Sequence, residues 1–398
     1  MEITTNYQNG NAIVAMTGRL DTATSQQAMQ DIEEQLKAFG PINELVCDAS
    51  KLEYLSSSGL RILLMLAKSY PNFRIIEVSP DIYQVLEMTG FAQIMKVEKA
   101  LRTINIDGCD VMGIGGVGTV YRIDEDTIIK VFREGTTLSE VQSEINQSKA
   151  SFLLGMPTAI SFDVVRVGSQ YGLVYELLDA DTLSTCVLQH PERFDDYARQ
   201  YAGVFRKLHA IEVPENMNIP SAMDRVHWAI ERISQYFDTQ SIDLMLRIMD
   251  SIPPAHRLLH CDLQIKNTMM QGDELMMIDM GEVGYGHPLL DLGHAYSAMV
   301  TFVGEDYDKV IGLPREMGIR FYQRALEYYF EGLDAAEFAH RKEQIATVST
   351  VRGVSWLSLS DSFPAFVIQN SKERFVERVV KQKDKLLAIC ETFKDWKV

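Results

Sequence analysis

The chain has 398 residues and a formal net charge of −17, with 46% hydrophobic and 23% charged residues. That length exceeds what one hydrophobic core usually organises, so two domains are expected in an otherwise ordinary globular composition. The acid excess argues against a nucleic-acid partner, no apolar run approaches the ~18 residues a membrane helix needs, and five cysteines without close pairs argue against a disulfide framework or a zinc site.

The opening Met-Glu-Ile-Thr-Thr-Asn has neither a basic region nor an apolar core, so a cytoplasmic protein without membrane contact is expected. Residues up to Thr103 carry −3 and the remainder −14. An acidic second half would attract a cationic substrate, or its acidic residues serve solubility alone.

Residues 1–102 read as a self-contained unit. Residues 12–16 form a strand, 22–36 a helix opened by Asp21, and 45–47 a buried strand; an apolar helix over 60–67 follows Ser56-Ser57-Ser58-Gly59. Residues 74–78, 80–88 and 94–97 add strand, helix and strand, and this alternation predicts an α/β layer with helices packed on a mixed sheet. Ser57 stands where a helix begins, exposed to unpaired N–H groups and the positive end of the dipole. It reads either as a switch carrying phosphate or as a simple N-cap.

Thr17-Gly18-Arg19-Leu20-Asp21, the segment 48–60 and Val78-Ser79-Pro80 give this unit a resemblance to the STAS domain, the fold of bacterial anti-sigma factor antagonists. In that family a strand ends in Asp-Ser-Ser/Thr-Gly and the first Ser accepts phosphate from a partner kinase. The resemblance therefore implies Ser57 as the candidate phosphoacceptor, with Ser56 in place of the Asp, and an anti-sigma factor or other STAS-binding protein as partner. An exposed sheet edge would permit a homodimer.

The pattern changes around 101–110 with no Pro/Ser-rich linker. A second domain is expected over 103–398, with a small β-rich lobe at 103–178 and a helical lobe at 179–398. Met112-Gly113-Ile114-Gly115-Gly116-Val117-Gly118 is a glycine-rich turn running into an alternating strand, and 128–132 is a second strand with one inward lysine, Lys130. Gly113, Gly115, Gly116 and Gly118 let backbone N–H groups close over phosphates, and Lys130 supplies a point charge to them. Glu144 follows in a helix, placed to pair with Lys130. The strand at 171–178 leads into a hinge at 176–179 whose backbone, at Glu176 and Leu178, would meet adenine.

Leu259-His260-Cys261-Asp262 is an apolar segment delivering an Asp; Asn267 comes five positions later and Asp279 ends the next short apolar strand. Phosphoryl transfer needs one carboxylate to orient or deprotonate a hydroxyl, and an amide with a second carboxylate to hold Mg²⁺. Asp262 fits the first role, Asn267 with Asp279 the second. His260 reads as a loop anchor, and His209, His227 and His294 as packing or capping residues. Met269, Met270, Met276, Met277 and Met280 read as adaptable core filling, and apolar stripes predict helices over 193–208, 319–330, 335–354 and 372–393.

Glycine loop, lysine, glutamate, His-x-Asp, Asn, Asp is the protein-kinase order. Residues 278–293 are similar to the metal-binding segment of the aminoglycoside phosphotransferase and choline kinase-like family. The resemblance implies an α+β bilobal protein-kinase-like fold, ATP as donor, Mg²⁺ on Asn267 and Asp279, Asp262 as catalytic base and Asp291 as a structural carboxylate behind the loop. It also implies that the helices after Ala295 form the acceptor pocket. Cys261 stands where Gly is usual, Gln264 replaces a frequent His, and His287 sits where an Asp commonly precedes Pro. The expectation is an ATP-dependent phosphotransferase acting on a hydroxyl and coupled to a regulatory STAS domain. The alternative is a non-catalytic, nucleotide-binding signalling protein of the anti-sigma factor antagonist type.

Overall fold

Residues 1–70, 72–302, 307–359 and 364–396 are described by a computed structural model of the chain. Asn9 and Gly10 both have positive φ, 52° and 83°, the conformation of a two-residue hairpin turn that follows strand twist. They join β1 (Glu2–Gln8) to β2 (Asn11–Leu20) as an antiparallel pair with Gln8 opposite Asn11. β3 (Glu44–Leu55), β4 (Phe73–Val78) and β5 (Lys96–Lys99) continue the sheet in parallel, in the order β1-β2-β3-β4-β5.

The sequence pattern does not announce β1, because Ile3 is its one buried residue. Helices α1 (Ser25–Lys37), α2 (Ser57–Ser69), α3 (Pro80–Met88) and α4 (Phe91–Ile94) complete this unit, with Val14, Leu45, Cys47, Leu63 and Ile75 in its core. Two expectations need correction. Asp21 does not open α1 directly: its Oδ1 accepts from the N–H groups of Ala23 (3.0 Å) and Thr24 (3.2 Å), which turns the chain before the helix starts at Ser25. Ile94 closes α4 rather than opening the last strand.

The chain divides into two compact units, Met1–Ile104 and Asn105–Val398. The second begins with β6 (Asp110–Ile114), β7 (Gly118–Arg122), β8 (Thr127–Phe132), α5 (Leu138–Leu153), β9 (Ser161–Val167) and β10 (Gln170–Glu176). Its sheet is antiparallel in the order β6-β7-β8-β10-β9, so β8 has neighbours on both sides. A capping box, Thr137 with Glu140, starts α5.

The remainder is mostly helical. β11 (Asp181–Thr182), α6 (Leu183–Gln189), α7 (Phe194–Ala210), α8 (Ala222–Ile233) and α9 (Thr239–Asp250) precede β12 (Arg257–Leu259), β13 (Thr268–Gln271), β14 (Glu274–Met277) and β15 (Gly284–Gly286). Then come α10 (Pro288–Tyr296), α11 (Tyr307–Ile311), α12 (Arg315–Tyr329), α13 (Ala335–Ser355), α14 (Ala365–Arg378) and α15 (Lys383–Cys390). Tyr201, Phe205, Phe321 and Tyr322 are the bulk of the core between α7 and α12. Residues 372–393, expected as one helix, form two: Val379, at φ −117° and ψ −60°, departs from helical geometry and ends α14, and a short 3₁₀ turn at Val380–Gln382 precedes α15. No helix among the described residues is long and apolar enough to cross a membrane.

The first turn of α2 presses on the end of β2. A Cβ at Gly59 would lie 2.6 Å from the Leu20 carbonyl oxygen and 2.7 Å from Leu55 Cδ1. Gly59→Ala should therefore cost the amino-terminal unit about 1–3 kcal/mol, read as a lower thermal unfolding midpoint. An unchanged midpoint would contradict this packing.

Candidate active site

Lys130 comes from the middle of the central strand β8 and is 8% exposed. Its Nζ lies 2.8 Å from Glu144 Oε1 on α5 and 2.8 Å from Asp279 Oδ1, which follows β14. Burial works against the ammonium charge, but Glu144 and then Asp279 outweigh it and hold the pKa of Lys130 above its ordinary value. Tyr175 on β10 donates its hydroxyl to Glu144 Oε1 at 2.9 Å. Burial and the Glu144 charge push that phenol well above the usual tyrosine range. Removing one partner of such a buried set costs about 3–5 kcal/mol, because an uncompensated charge remains.

Asp279 itself sits in the left-handed region at φ 61°, a conformation that a non-glycine residue holds only when its surroundings impose it. Gln147, one turn beyond Glu144 on α5, has its side-chain amide against the carbonyls of Met280 (3.3 Å) and Gly281 (2.7 Å), and with its nitrogen turned toward them it donates to both and supplies part of that restraint.

The second group is built on the loop after β12. Cys261 has φ 64°, a conformation that favours glycine. Behind it Asp291, on α10 and with no exposed surface, accepts the backbone N–H of His260 at 3.0 Å and of Cys261 at 2.8 Å. His209 Nε2 lies 3.3 Å from the same carboxylate, and its Nδ1 is 2.8 Å from the Tyr329 hydroxyl. Burial raises the pKa of Asp291, but His209 and the backbone donors outweigh it and hold the carboxyl below the usual range.

His260, also fully buried, accepts the Asp262 N–H at Nδ1 (3.3 Å), which leaves Nε2 to donate to the Ile278 carbonyl at 3.2 Å. One imidazole thus ties the Asp262 loop to the residue before Asp279. Asn267 Nδ2 donates to the Asp262 carbonyl and to its Oδ2, both at 2.9 Å. Asp262 Oδ1 receives His294 Nε2 at 2.9 Å and Gln264 Nε2 at 3.2 Å. Burial pushes the Asp262 carboxyl up, yet the opposing causes, led by the hydrogen bond from His294, hold it below the usual range.

Lys130, Glu144 and Asp279 are therefore in direct contact, as are Asp262, Asn267, His260 and Asp291 through the loop. Gly113 lies in β6, Gly115 and Gly116 in the following turn, and Gly118 opens β7, with the Gly115 N–H donating to the Gly118 carbonyl at 2.8 Å. A Cβ at Gly113 or Gly116 would meet nothing within 4 Å, whereas one at Gly118 would overlap the Val131 carbonyl. Glu176 spends its side chain on the Ile160 N–H (3.2 Å) and Leu178 is buried, so backbone is what this strand end offers a ligand.

Ser57 belongs to the first unit and is the exposed first residue of α2. It is not the helix cap, since Ser56 Oγ accepts the Gly59 N–H at 3.4 Å. His287 caps α10 by accepting the Leu289 N–H at 3.1 Å; burial, with His209 nearby, pushes its pKa down to about 4 and keeps it neutral.

Tyr175 and Gln147 are contributors that sequence reasoning missed, and His209 and His294, expected as packing or capping residues, hold the Asp291 and Asp262 carboxylates. Only His294 carried a signal, three positions after Asp291 and hence on one face of a helix.

A buried lysine between a helix glutamate and a turn aspartate, beside an Asp and Asn held on a rigid loop, defines a kinase-like phosphotransferase site. The model of the Phosphotransferase enzyme family matches residues 115–338, more than half of the chain, and the chain belongs to that family. The STAS domain model matches residues 2–104, so an α/β STAS domain precedes the α+β kinase-like domain. Over 101 residues, 24% of this chain, the first unit is 28% identical to BtrV of Bordetella bronchiseptica, covering 85% of it. It is 24% identical over 101 residues to the anti-sigma F factor antagonist of Paenibacillus polymyxa, covering 24% of this chain and 86% of that one. A choline/ethanolamine kinase family protein from Mesorhizobium loti superposes with a TM-score of 0.48 at 16% identity, over 71% of this chain and 92% of that one.

Asp291→Asn leaves a buried backbone N–H without its acceptor and should destabilise the second unit by about 1–3 kcal/mol at pH 7. The folded carboxyl binds its proton more weakly than the unfolded one, whose pKa is ~3.9. Its contribution is therefore complete above that pH and fades as pH falls. Denaturant melts should show the gap between wild type and variant narrowing below about pH 4; a constant gap would remove the charge from this account.

Proposed function

We propose that the second unit transfers the γ-phosphate of ATP to a hydroxyl group of an acceptor and that the STAS domain regulates it or recruits its partners. The observation that carries this reading is the direct pairing of Lys130 with both Glu144 and Asp279, joined through His260 to the Asp262–Asn267 pair. Lys130 holds phosphate oxygens, and Glu144 keeps the ammonium in place. Backbone N–H groups at Gly113, Gly115, Gly116 and Gly118 cover the phosphates, while the backbone at Glu176 and Leu178 meets the base.

Mg²⁺ fits the donors present. Asp279 keeps 41% of its side chain exposed, and Asn267 commits its nitrogen to Asp262, which leaves the amide oxygen as the ligand. One carboxylate and one amide, both oxygen donors, suit a cation that retains waters and phosphate oxygens as its other ligands. When bound, the metal neutralises phosphate charge. Asp262 orients the acceptor hydroxyl and takes its proton; His260 and Asp291 hold the loop that presents it.

For the first unit, the name of the Paenibacillus relative supports an anti-sigma factor or similar protein as partner. The exposed Ser57 hydroxyl at the start of α2 is the phosphoacceptor in this reading. A phosphate there adds roughly −1.5 to −2 charges.

Purified full-length protein with Mg²⁺ and ATP should release ADP about 10²–10⁴ times faster than Asp262→Ala, with sugars, aminoglycosides, amino alcohols and STAS proteins screened as acceptors. Equal rates throughout would leave the non-catalytic regulator as the reading. Partner capture should change between Ser57→Asp and Ser57→Ala; identical capture would rule out Ser57 as the switch.

A further inference from the structure

The two oxygens of Asp262 are not equivalent. Oδ1 has two side-chain donors, His294 Nε2 at 2.9 Å and Gln264 Nε2 at 3.2 Å, whereas Oδ2 has Asn267 Nδ2 at 2.9 Å. Each carboxylate oxygen offers two lone pairs, so Oδ1 is filled and Oδ2 keeps one direction for a further donor.

What holds His294 decides its proton. Arg352 Nη2 lies within hydrogen-bond range of His294 Nδ1 and 3.5 Å from the Cys261 carbonyl. A guanidinium has only donors and does not lose its charge, so Nδ1 is the accepting nitrogen and the single imidazole proton is on Nε2, facing Asp262. A second proton on the ring would set two N–H groups against each other.

The placement follows from helix packing. Asp291 and His294 are three residues apart on α10, so one helix face holds both the backbone of the loop and its carboxylate. Gly293 admits α13 closely, since a Cβ there would lie 2.7 Å from Val348 Cγ1. Arg352 stands one turn beyond Val348 on that helix.

We infer that His294 is a positioning residue, held in one tautomer between Asp262 and Arg352, and that by filling Oδ1 it makes Oδ2 of Asp262 the atom that takes the acceptor's proton. The inference rests on Asp262 being the base. As the acceptor O–H bond breaks, its proton moves to Oδ2 and its oxygen bonds the γ-phosphorus. The bond from that phosphorus to the bridging oxygen breaks, and ADP leaves with the electron pair; Asp262 then returns the proton to water. His294, already protonated on Nε2, does not accept it.

Two measurements on the full chain test this. In ¹⁵N imidazole spectra, with the His294 signals assigned by their loss in His294→Gln, Nε2 should be protonated and Nδ1 not. Arg352→Met, which removes the donor to Nδ1, should shift the Nδ1 signal while Nε2 keeps its proton. A proton on Nδ1 overturns the tautomer assignment, and an Nδ1 signal indifferent to Arg352→Met overturns the Arg352 contact, whether or not the protein turns over ATP. With Mg²⁺ and ATP, His294→Leu should lower kcat about 100-fold at an unchanged KM for ATP. His294→Gln, which retains an N–H donor, should recover most of the loss. Wild-type turnover equal to Asp262→Ala would overturn the base itself. Wild-type turnover well above Asp262→Ala but equal to His294→Leu, or failure of His294→Gln to recover any rate, would overturn the positioning role alone.

Discussion

A buried ammonium is tolerable only when it is paired, and the second unit is assembled around that constraint. Lys130 on β8 draws Glu144 from α5 and Asp279 from the turn after β14 to within 2.8 Å of one nitrogen. These positions are 14 and 149 residues away along the chain. Desolvation of the charge works against the arrangement, which makes its presence informative. Such a pairing is retained where a cation must be held ready for an anionic ligand.

The same economy of buried polar groups governs the loop that carries Asp262. Asp291 satisfies two backbone N–H groups that no regular element could satisfy, and it is in turn held by His209. Cys261 is thereby kept in a left-handed conformation without glycine. His260 spans from this loop to Ile278, so Asp262 and the residue before Asp279 are linked by one ring. Positional accuracy of this kind is what phosphoryl transfer asks of a protein, because the protein's contribution is placement and charge.

In the amino-terminal unit, Ser56 takes the capping role and leaves Ser57 exposed one residue later. A helix start with its cap already filled still presents free N–H groups and the positive end of the dipole to a neighbouring substituent. The local geometry therefore separates the capping serine from the exposed one.

Local pattern was enough for much of this protein. Glycines before an alternating strand, a single lysine within an apolar one, and Asp and Asn at a five-residue spacing all encode their places within a few neighbouring positions. The bounds of α3 follow from Ser79 and Pro80 at its start. Strand β1 was not legible because its exposed face leaves almost no apolar alternation, and the break after Arg378 was not, because neither Gly nor Pro marks it in the sequence. The chain alone determined which groups stand at the candidate site. Only tertiary structure decided which groups hold them: Tyr175, His209, His294 and Arg352 act across 31, 82, 32 and 58 residues of sequence. Hydrogen bonds at such separations depend on how helices and strands pack, and no periodicity within a single element records that.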